Sequence, residues 1–226
     1  MKILALETST EYCSVALWQD GAMSERFELV GQKHSELLMA MLDGLLRDAG
    51  CRIQDIDGIA YGAGPGSFTG VRIACGVAQG LALGANLPVI GICTLQALAQ
   101  GAGQSRVIAA LDARMAEVYF AVYEKCAGEW QTVSVPSLCL PQDAPSVAGS
   151  DWLGAGSGFA VHGGLLGSRY GGQLSAVDAQ CVPRASAIAE LAAPLFLAGQ
   201  GMDAAQAMPL YLRDKVALKT SERNLS

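Results

Sequence analysis

Two short apolar runs open the chain, Ile3 to Leu6 and Cys13 to Trp18, divided by the polar stretch Glu7-Thr8-Ser9-Thr10 and followed by Gly21. Runs of that length around a polar turn predict a β-hairpin. The period then changes. Leu37, Leu38, Met41, Leu42, Leu45 and Leu46 recur at the spacing of one broad helix face, which predicts an amphipathic helix with its stripe in the core. Ser35 is the expected N-cap, Glu36 suits the first turn and Gly50 the stop. Met39 falls outside the stripe and leaves an extra apolar patch for a partner. Ile56 to Tyr61 reads as a buried strand, Gly62 to Gly70 as a glycine-rich loop, Val71 to Leu83 as a helix and Leu87 to Ile92 as a strand. Strand, loop, helix and strand form a βαβ unit, so part of the sheet is parallel.

The pattern breaks over Gly101 to Arg106 and then restarts. At a constant offset of 105 residues, Ile3 to Glu7 lies over Ile108 to Asp112, and Cys13 to Trp18 over Val118 to Tyr123. Each copy reads as a strand tipped by an acid, a polar turn and a second strand. A duplicated domain is the better reading than two chance hairpins, because acid and spacing both recur. We expect two domains, 1–103 and 104–226, with the C-terminal segment packing back on the first. Pro136, Pro141 and Pro145 predict an irregular excursion over 126–150. Leu153 to Gly158 holds a second glycine cluster, Ala185 to Leu197 reads as an alanine-rich helix starting near Ser186, and Leu210 begins a tail carrying Arg213, Lys215, Lys219 and Arg223.

The loop from Gly62 to Gly70 carries the strongest local chemistry. Glycines let backbone N–H groups turn towards an anion, and a helix N-terminus adds partial positive charge. Arg72 in the first turn would add a charged donor. The loop is neither a Walker loop nor a dinucleotide fingerprint. Its glycines equally suit a tight turn with close backbone packing, and spacing alone leaves both readings open. Gly76, Gly80 and Gly84 fall four residues apart on the helix that follows, beside the row Ala74, Ala78 and Ala82. Glycine inside a helix costs roughly 0.5–1 kcal/mol against alanine. Three on one face therefore imply a backbone in close approach, either the domain's own sheet or a partner helix. Glu7 and Asp112 either face a shared cleft or each cap their own turn. His34, just ahead of the first helix, reads as a capping or surface residue, and no histidine pair has metal-ligand spacing.

Composition narrows the class. The mean hydropathy of +0.32 raises a membrane reading, yet no apolar run approaches the ~20 residues of a spanning helix. Leu81 to Ile92 is broken by Gly84, Asn86, Pro88 and Gly91, and an acid at Glu7 comes too early for a signal peptide. A cytoplasmic protein is expected. The seven cysteines are scattered singly and read as small buried hydrophobes in a reducing compartment. A net charge of −6 and a pI near 4.9 argue against this chain being the main holder of a phosphate backbone.

Several stretches resemble one family. Ile3-Leu4-Ala5-Leu6-Glu7-Thr8-Ser9-Thr10, Lys33-His34-Ser35-Glu36, Gly64-Pro65-Gly66-Ser67-Phe68-Thr69-Gly70-Val71-Arg72-Ile73, Leu111-Asp112-Ala113-Arg114 and Pro209-Leu210-Tyr211-Leu212-Arg213 run nearly end to end. Together they resemble the TsaB (YeaZ) family of tRNA threonylcarbamoyladenosine biosynthesis proteins, within the acetate kinase, sugar kinase, Hsp70 and actin (ASKHA) superfamily. The resemblance implies a duplicated α/β fold of two mixed-sheet domains. It also implies a role in the N6-threonylcarbamoyl modification of adenosine 37 in ANN-decoding tRNAs. Implied partners are the metal-dependent transferase TsaD, as a heterodimer, and the ATPase TsaE, with a homodimer when alone and tRNA met only through the complex. No intrinsic cofactor is implied, and ATP or ADP enters at most at the complex interface. The transferase's His-x-x-x-His motif falls here on Thr94 and Leu98, which are not metal ligands, so the resemblance points to a non-catalytic relative.

The family contact runs through the helices 35–49 and 70–84. This makes Leu38, Met41, Leu42, Leu45, Ala74, Gly76, Val77, Gly80 and Gly84 interface candidates. Gly64, Gly66, Ser67, Thr69, Gly70, Arg72, Asp112 and Arg114 remain ligand or phosphate-loop candidates. The alternatives are an ATP-dependent small-molecule kinase using Glu7 or Asp112 and, more weakly, a metalloprotease.

Overall fold

A computed structural model describes residues 1–213 of the 226; Lys215, Lys219 and Arg223 of the expected tail lie outside the described residues. The opening hairpin forms as β1 (Lys2–Glu7) and β2 (Tyr12–Gln19). A third strand, β3 (Ala22–Leu29), follows at once where the sequence reading went straight to a helix. Its charges, Glu25, Arg26 and Glu28, hide the strand period because β3 is an edge strand with a solvated face. α1 (His34–Asp48), β4 (Gly58–Gly64), α2 (Phe68–Ala85), β5 (Val89–Cys93) and α3 (Thr94–Gly101) complete the first half. The second half runs β6 (Arg106–Asp112), β7 (Val118–Cys126), β8 (Glu129–Cys139), β9 (Trp152–Ala155), α4 (Ser157–Tyr170), β10 (Leu174–Asp178) and α5 (Ala185–Leu197).

The first sheet is ordered β3-β2-β1-β4-β5 and the second β8-β7-β6-β9-β10. In both, the hairpin strands pair antiparallel and the two strands added on the other side pair parallel. The repeat seen in the sequence is therefore a repeat of topology. Strand β1 alternates Leu4 and Leu6 towards one core with Ile3 and Ala5 towards another, all fully buried. A strand buried on both faces loses polar alternation, which is why it reads as an apolar run. On one face lie α1 and α2. On the other, α5 covers the first sheet while Leu95 and Leu98 of α3 pack on the second. α3 and α5 thus form a helical layer between the sheets, and α4 caps the far face through Phe159, Leu166 and Tyr170.

Several local expectations are corrected. Ser35 lies inside α1; the N-cap position is Lys33, which makes no side-chain cap, and His34 is buried with Nε2 3.0 Å from the Tyr12 carbonyl oxygen. The excursion over 126–150 contains the regular strand β8, which tolerates Pro136 because an edge strand has one row of N–H groups without ladder partners. The glycine-rich loop ends at Ser67, so Phe68-Thr69-Gly70 is the first turn of α2. By length and composition α2 is apolar enough to cross a membrane, but its alanine row Ala74, Ala78 and Ala82 is fully buried in the first core.

Candidate functional site

The loop after β4 is filled by the turn between β1 and β2. A Cβ on Gly62 would run into the Glu7 carboxylate, one on Gly66 would sit 2.6 Å from Ser9 Cβ, and one on Gly70 would strike the Thr8 carbonyl oxygen. These three glycines stand four residues apart and each receives one residue of the turn. Ser67 N–H donates to the Ser9 carbonyl at 2.8 Å, Thr8 Oγ1 to the Gly70 carbonyl at 2.7 Å, and Thr94 Oγ1 to the Pro65 carbonyl. Close backbone packing accounts for the glycines, the second of the two readings left open above. Gly64 has φ +105° and faces the Leu210 carbonyl oxygen, 2.9 Å from where its Cβ would be. Ser67 caps α2 by accepting from Gly70 N–H at 3.4 Å, and both Ser67 and Thr69 are exposed.

The two acids do the same thing in each half. Glu7 Oε1 accepts the Ser9 N–H, and Asp112 Oδ1 accepts the Arg114 N–H at 3.2 Å. Each caps its own turn. Their surroundings differ. Glu7 is fully buried, and burial pushes its carboxyl up to about 7 even though the Ser9 hydrogen bonds pull it down. Its Oε2 and the Ser9 Oγ are sealed away without a hydrogen-bond partner among the described residues. Asp112 Oδ1 lies 3.3 Å from His162 Nε2, at a non-helical residue inside α4. Arg114 is 89% exposed, with Nε 3.8 Å from Asp112 Oδ2. Arg114, Met115 and Ala116 all have φ between +54° and +61°, a left-handed turn that L-residues adopt at a cost. Arg213 braces it, donating to the Ala113 carbonyl at 2.9 Å and pairing with Glu117 at 2.7 Å.

The segment after α5 ties the halves together. Met208 N–H donates to Tyr61 Oη at 3.0 Å, Gln79 Nε2 to the Ala207 carbonyl at 3.0 Å, and Leu210 N–H to the Ala63 carbonyl at 2.6 Å. Tyr211 then reaches the start of α2 and Arg213 the left-handed turn. Residues 207–213 therefore run from the first sheet to the second across the glycine-rich loop. The sequence reading expects the C-terminal segment to pack back on the first domain, but neither period nor spacing marks the residues that make these contacts.

The interface candidates divide by burial. Leu38, Met41, Leu42 and Leu45 of α1 and Ala74 of α2 lie in the core, between 0% and 4% exposed. They pack on the sheet, and of them only Leu42 also edges the groove between α1 and α2, so burial corrects the selection of Leu38, Met41, Leu45 and Ala74. Gly76, Gly80 and Gly84 face outward, and a Cβ on any of them would meet nothing within 4 Å. The domain's own sheet is thus excluded as the reason for the glycine row. Val77 is half-buried beside it, and Met39 is 48% exposed. Between α1 and α2 lies an apolar groove of ≈ 450 Å³ lined by Met39, Leu42, Leu46, Ile53 and Leu81 among others.

Two five-stranded sheets of one topology, each opened by an acid-tipped hairpin, define a duplicated α/β protein of the ASKHA class. The profile of the family described as TsaD, tRNA N6-adenosine threonylcarbamoyltransferase, matches residues 28–219. The chain is 40% identical to the tRNA threonylcarbamoyladenosine biosynthesis protein TsaB of Escherichia coli (strain K12) over 97% of both chains. The Haemophilus influenzae protein of the same name is 38% identical, over 97% of this chain and 96% of that one. A solved structure described as YeaZ from Pseudomonas aeruginosa matches with a TM-score of 0.86 at 39% identity, over 93% of this chain and 99% of that chain. The chain belongs to the TsaB (YeaZ) family, within the wider family of the TsaD profile.

Proposed function

We propose that the chain is a non-catalytic subunit of the machinery that places N6-threonylcarbamoyl on adenosine in tRNA. In this reading it pairs with the TsaD transferase through the outer face of α1 and α2, and the pair recruits the ATPase TsaE in the cytoplasm. One observation carries it: the open row Gly76, Gly80 and Gly84, three helix-weakening residues at which a Cβ would meet nothing among the described residues. Such a row is retained where another backbone must come close. The apolar groove beside it extends the same surface.

The site's chemistry supports a helper over an enzyme. At the transferase's ligand positions stand Thr94, whose hydroxyl is spent on the Pro65 carbonyl, and Leu98, fully buried. A hydroxyl already donated and an isobutyl group make no divalent metal site. The glycine-rich loop holds its own hairpin, so ATP or ADP has no phosphate cradle there and would be met at the interface of the complex. At −6 the chain leaves tRNA to its partners. Alone, it would pair with a second copy through the same face. The test is reconstitution of the modification from purified components with and without this chain. The expected result is that product requires the chain, while the chain alone turns over neither nucleotide nor threonylcarbamoyl donor. Turnover by the isolated chain, lost in Asp112→Ala, would promote the small-molecule kinase reading instead.

A further inference from the structure

We propose that Arg72 is a carboxylate receptor. Its guanidinium, packed on the ring of Phe68 with Tyr211 beside it, pairs with an aspartate or glutamate that a partner protein lays along the glycine row of α2. The proposal rests on the partner face described above and names the chemistry by which that face recognises its partner.

Arg72 Cζ lies 3.3 Å from the centroid of the Phe68 ring and 5.2 Å from that of Tyr211, and the two rings are 6.1 Å apart. Both rings are nearly half exposed, at 46% and 43%. Of the nine described arginines, seven pair with a carboxylate. Arg169 donates to the Ala144 carbonyl. Arg72 alone has aromatic contacts and no oxygen partner among the described residues. Contact with the Phe68 ring occupies one face of a guanidinium that is otherwise exposed, and its N–H groups match a carboxylate with charge-assisted hydrogen bonds. The stack also limits the rotamers of a side chain that would otherwise lose about 2 kcal/mol of rotamer entropy on binding.

Its place on the helix selects the occupant. Phe68, Arg72, Gly76, Gly80 and Gly84 follow one another at four-residue intervals, so Arg72 stands one turn ahead of the first open glycine on the same face. A partner helix lying in the row reaches Arg72 at its end. The groove beside the row is lined by Asp43 with Arg47 and by Arg52, whose own partner is Asp55. Those charges are matched within the chain, whereas Arg72 has no carboxylate partner among the described residues. A nucleic acid makes several phosphate contacts and calls for clustered cations. Here no second cation touches either ring among the described residues, and the surface that follows is glycine and apolar. One charge on such a face is the setting of a single ion pair across a protein interface. Tyr211 belongs to the strap that Arg213 fastens to the second half, so the cluster of Phe68, Arg72 and Tyr211 is built by the folded chain before any partner arrives.

The test measures the affinity of the full chain for the transferase by calorimetry at two salt concentrations, for wild type, Arg72→Gln, Arg72→Lys and Gly80→Arg. Both positions are exposed, so the variants fold; circular dichroism checks this. Arg72→Gln is expected to weaken association by about ten- to a hundredfold and to flatten its salt dependence. Arg72→Lys keeps the charge but loses the fork, and is expected to recover only part of that loss. Wild-type affinity and salt slope in Arg72→Gln, with association abolished in Gly80→Arg, would overturn the receptor and leave the partner face standing. Wild-type behaviour in both variants would remove both. If Arg72→Gln keeps the protein affinity but weakens tRNA binding by the assembled complex, the group contacts phosphate and the proposal falls.

Discussion

Gly70 and Gly80 lie on one helix and are kept for opposite reasons. A Cβ at Gly70 would collide with the Thr8 backbone carbonyl, whereas a Cβ at Gly80 meets nothing. Gly70→Ala is therefore expected to destabilise the isolated chain by about 1–3 kcal/mol, the usual cost of overpacking. Gly80→Ala is expected to stabilise it by about 0.5–1 kcal/mol, the helix-propensity gain. Urea denaturation of both variants checks the pair, and destabilisation by Gly80→Ala would mean that the row is engaged within the chain. Glu7 supplies a second test at this scale. Its carboxyl is raised from 4.5 to about 7 by burial, so the folded state holds its proton more tightly than the unfolded state. The contribution is fully present below pH 4.5 and is lost as pH rises through 7, an effect on the order of 3 kcal/mol. Glu7→Gln should remove that dependence; the difference between the two stability curves should open between those pH values. Parallel curves would show that Glu7 is ionised in the folded chain.

Elements with a single strong period were legible in the sequence. The hairpin β1–β2 and its repeat in β6–β7, the α1 stripe and the β4–α2–β5 unit all bury one face or both, and burial writes the pattern. What stayed hidden was either polar or weakly periodic. β3 and β8 are edge strands with solvated faces, and the glycines in α4 at 158, 163, 164 and 167 disguise a helix. The α1 stripe also shows a limit of pattern reading. Apolar spacing identifies the face that packs, so Leu38, Met41, Leu42 and Leu45 go to the core. A partner face is better marked by residues that a buried face would not select, as with the glycines of α2 and the half-exposed Met39. The glycine-rich loop needed three dimensions. Its spacing fits an anion cradle or a packed turn equally, and only the position of Thr8, Ser9 and Glu7 decides.

At the scale of the whole molecule, the duplicated architecture explains composition that first looks anomalous. Two sheets with a shared helical layer bury the central strands β1, β4, β6 and β9 on both faces, which raises hydropathy without a membrane span. Glycines serve two settings, close packing inside the chain at 62, 66 and 70 and a face left open among the described residues at 76, 80 and 84. The strap 207–213 joins α2 to the left-handed turn of the second half, so α2 and the turn that carries Asp112 and Arg114 share one segment.

The central claim is that this chain works through the outer face of α2. Its most direct measurement is the association of Gly80→Arg with the transferase by analytical ultracentrifugation, alongside wild type and with folding verified. A long charged side chain on the open row should abolish the heterodimer without destabilising the monomer, whose thermal transition stays at or slightly above that of wild type. A heterodimer of wild-type affinity formed by that folded variant would contradict the account.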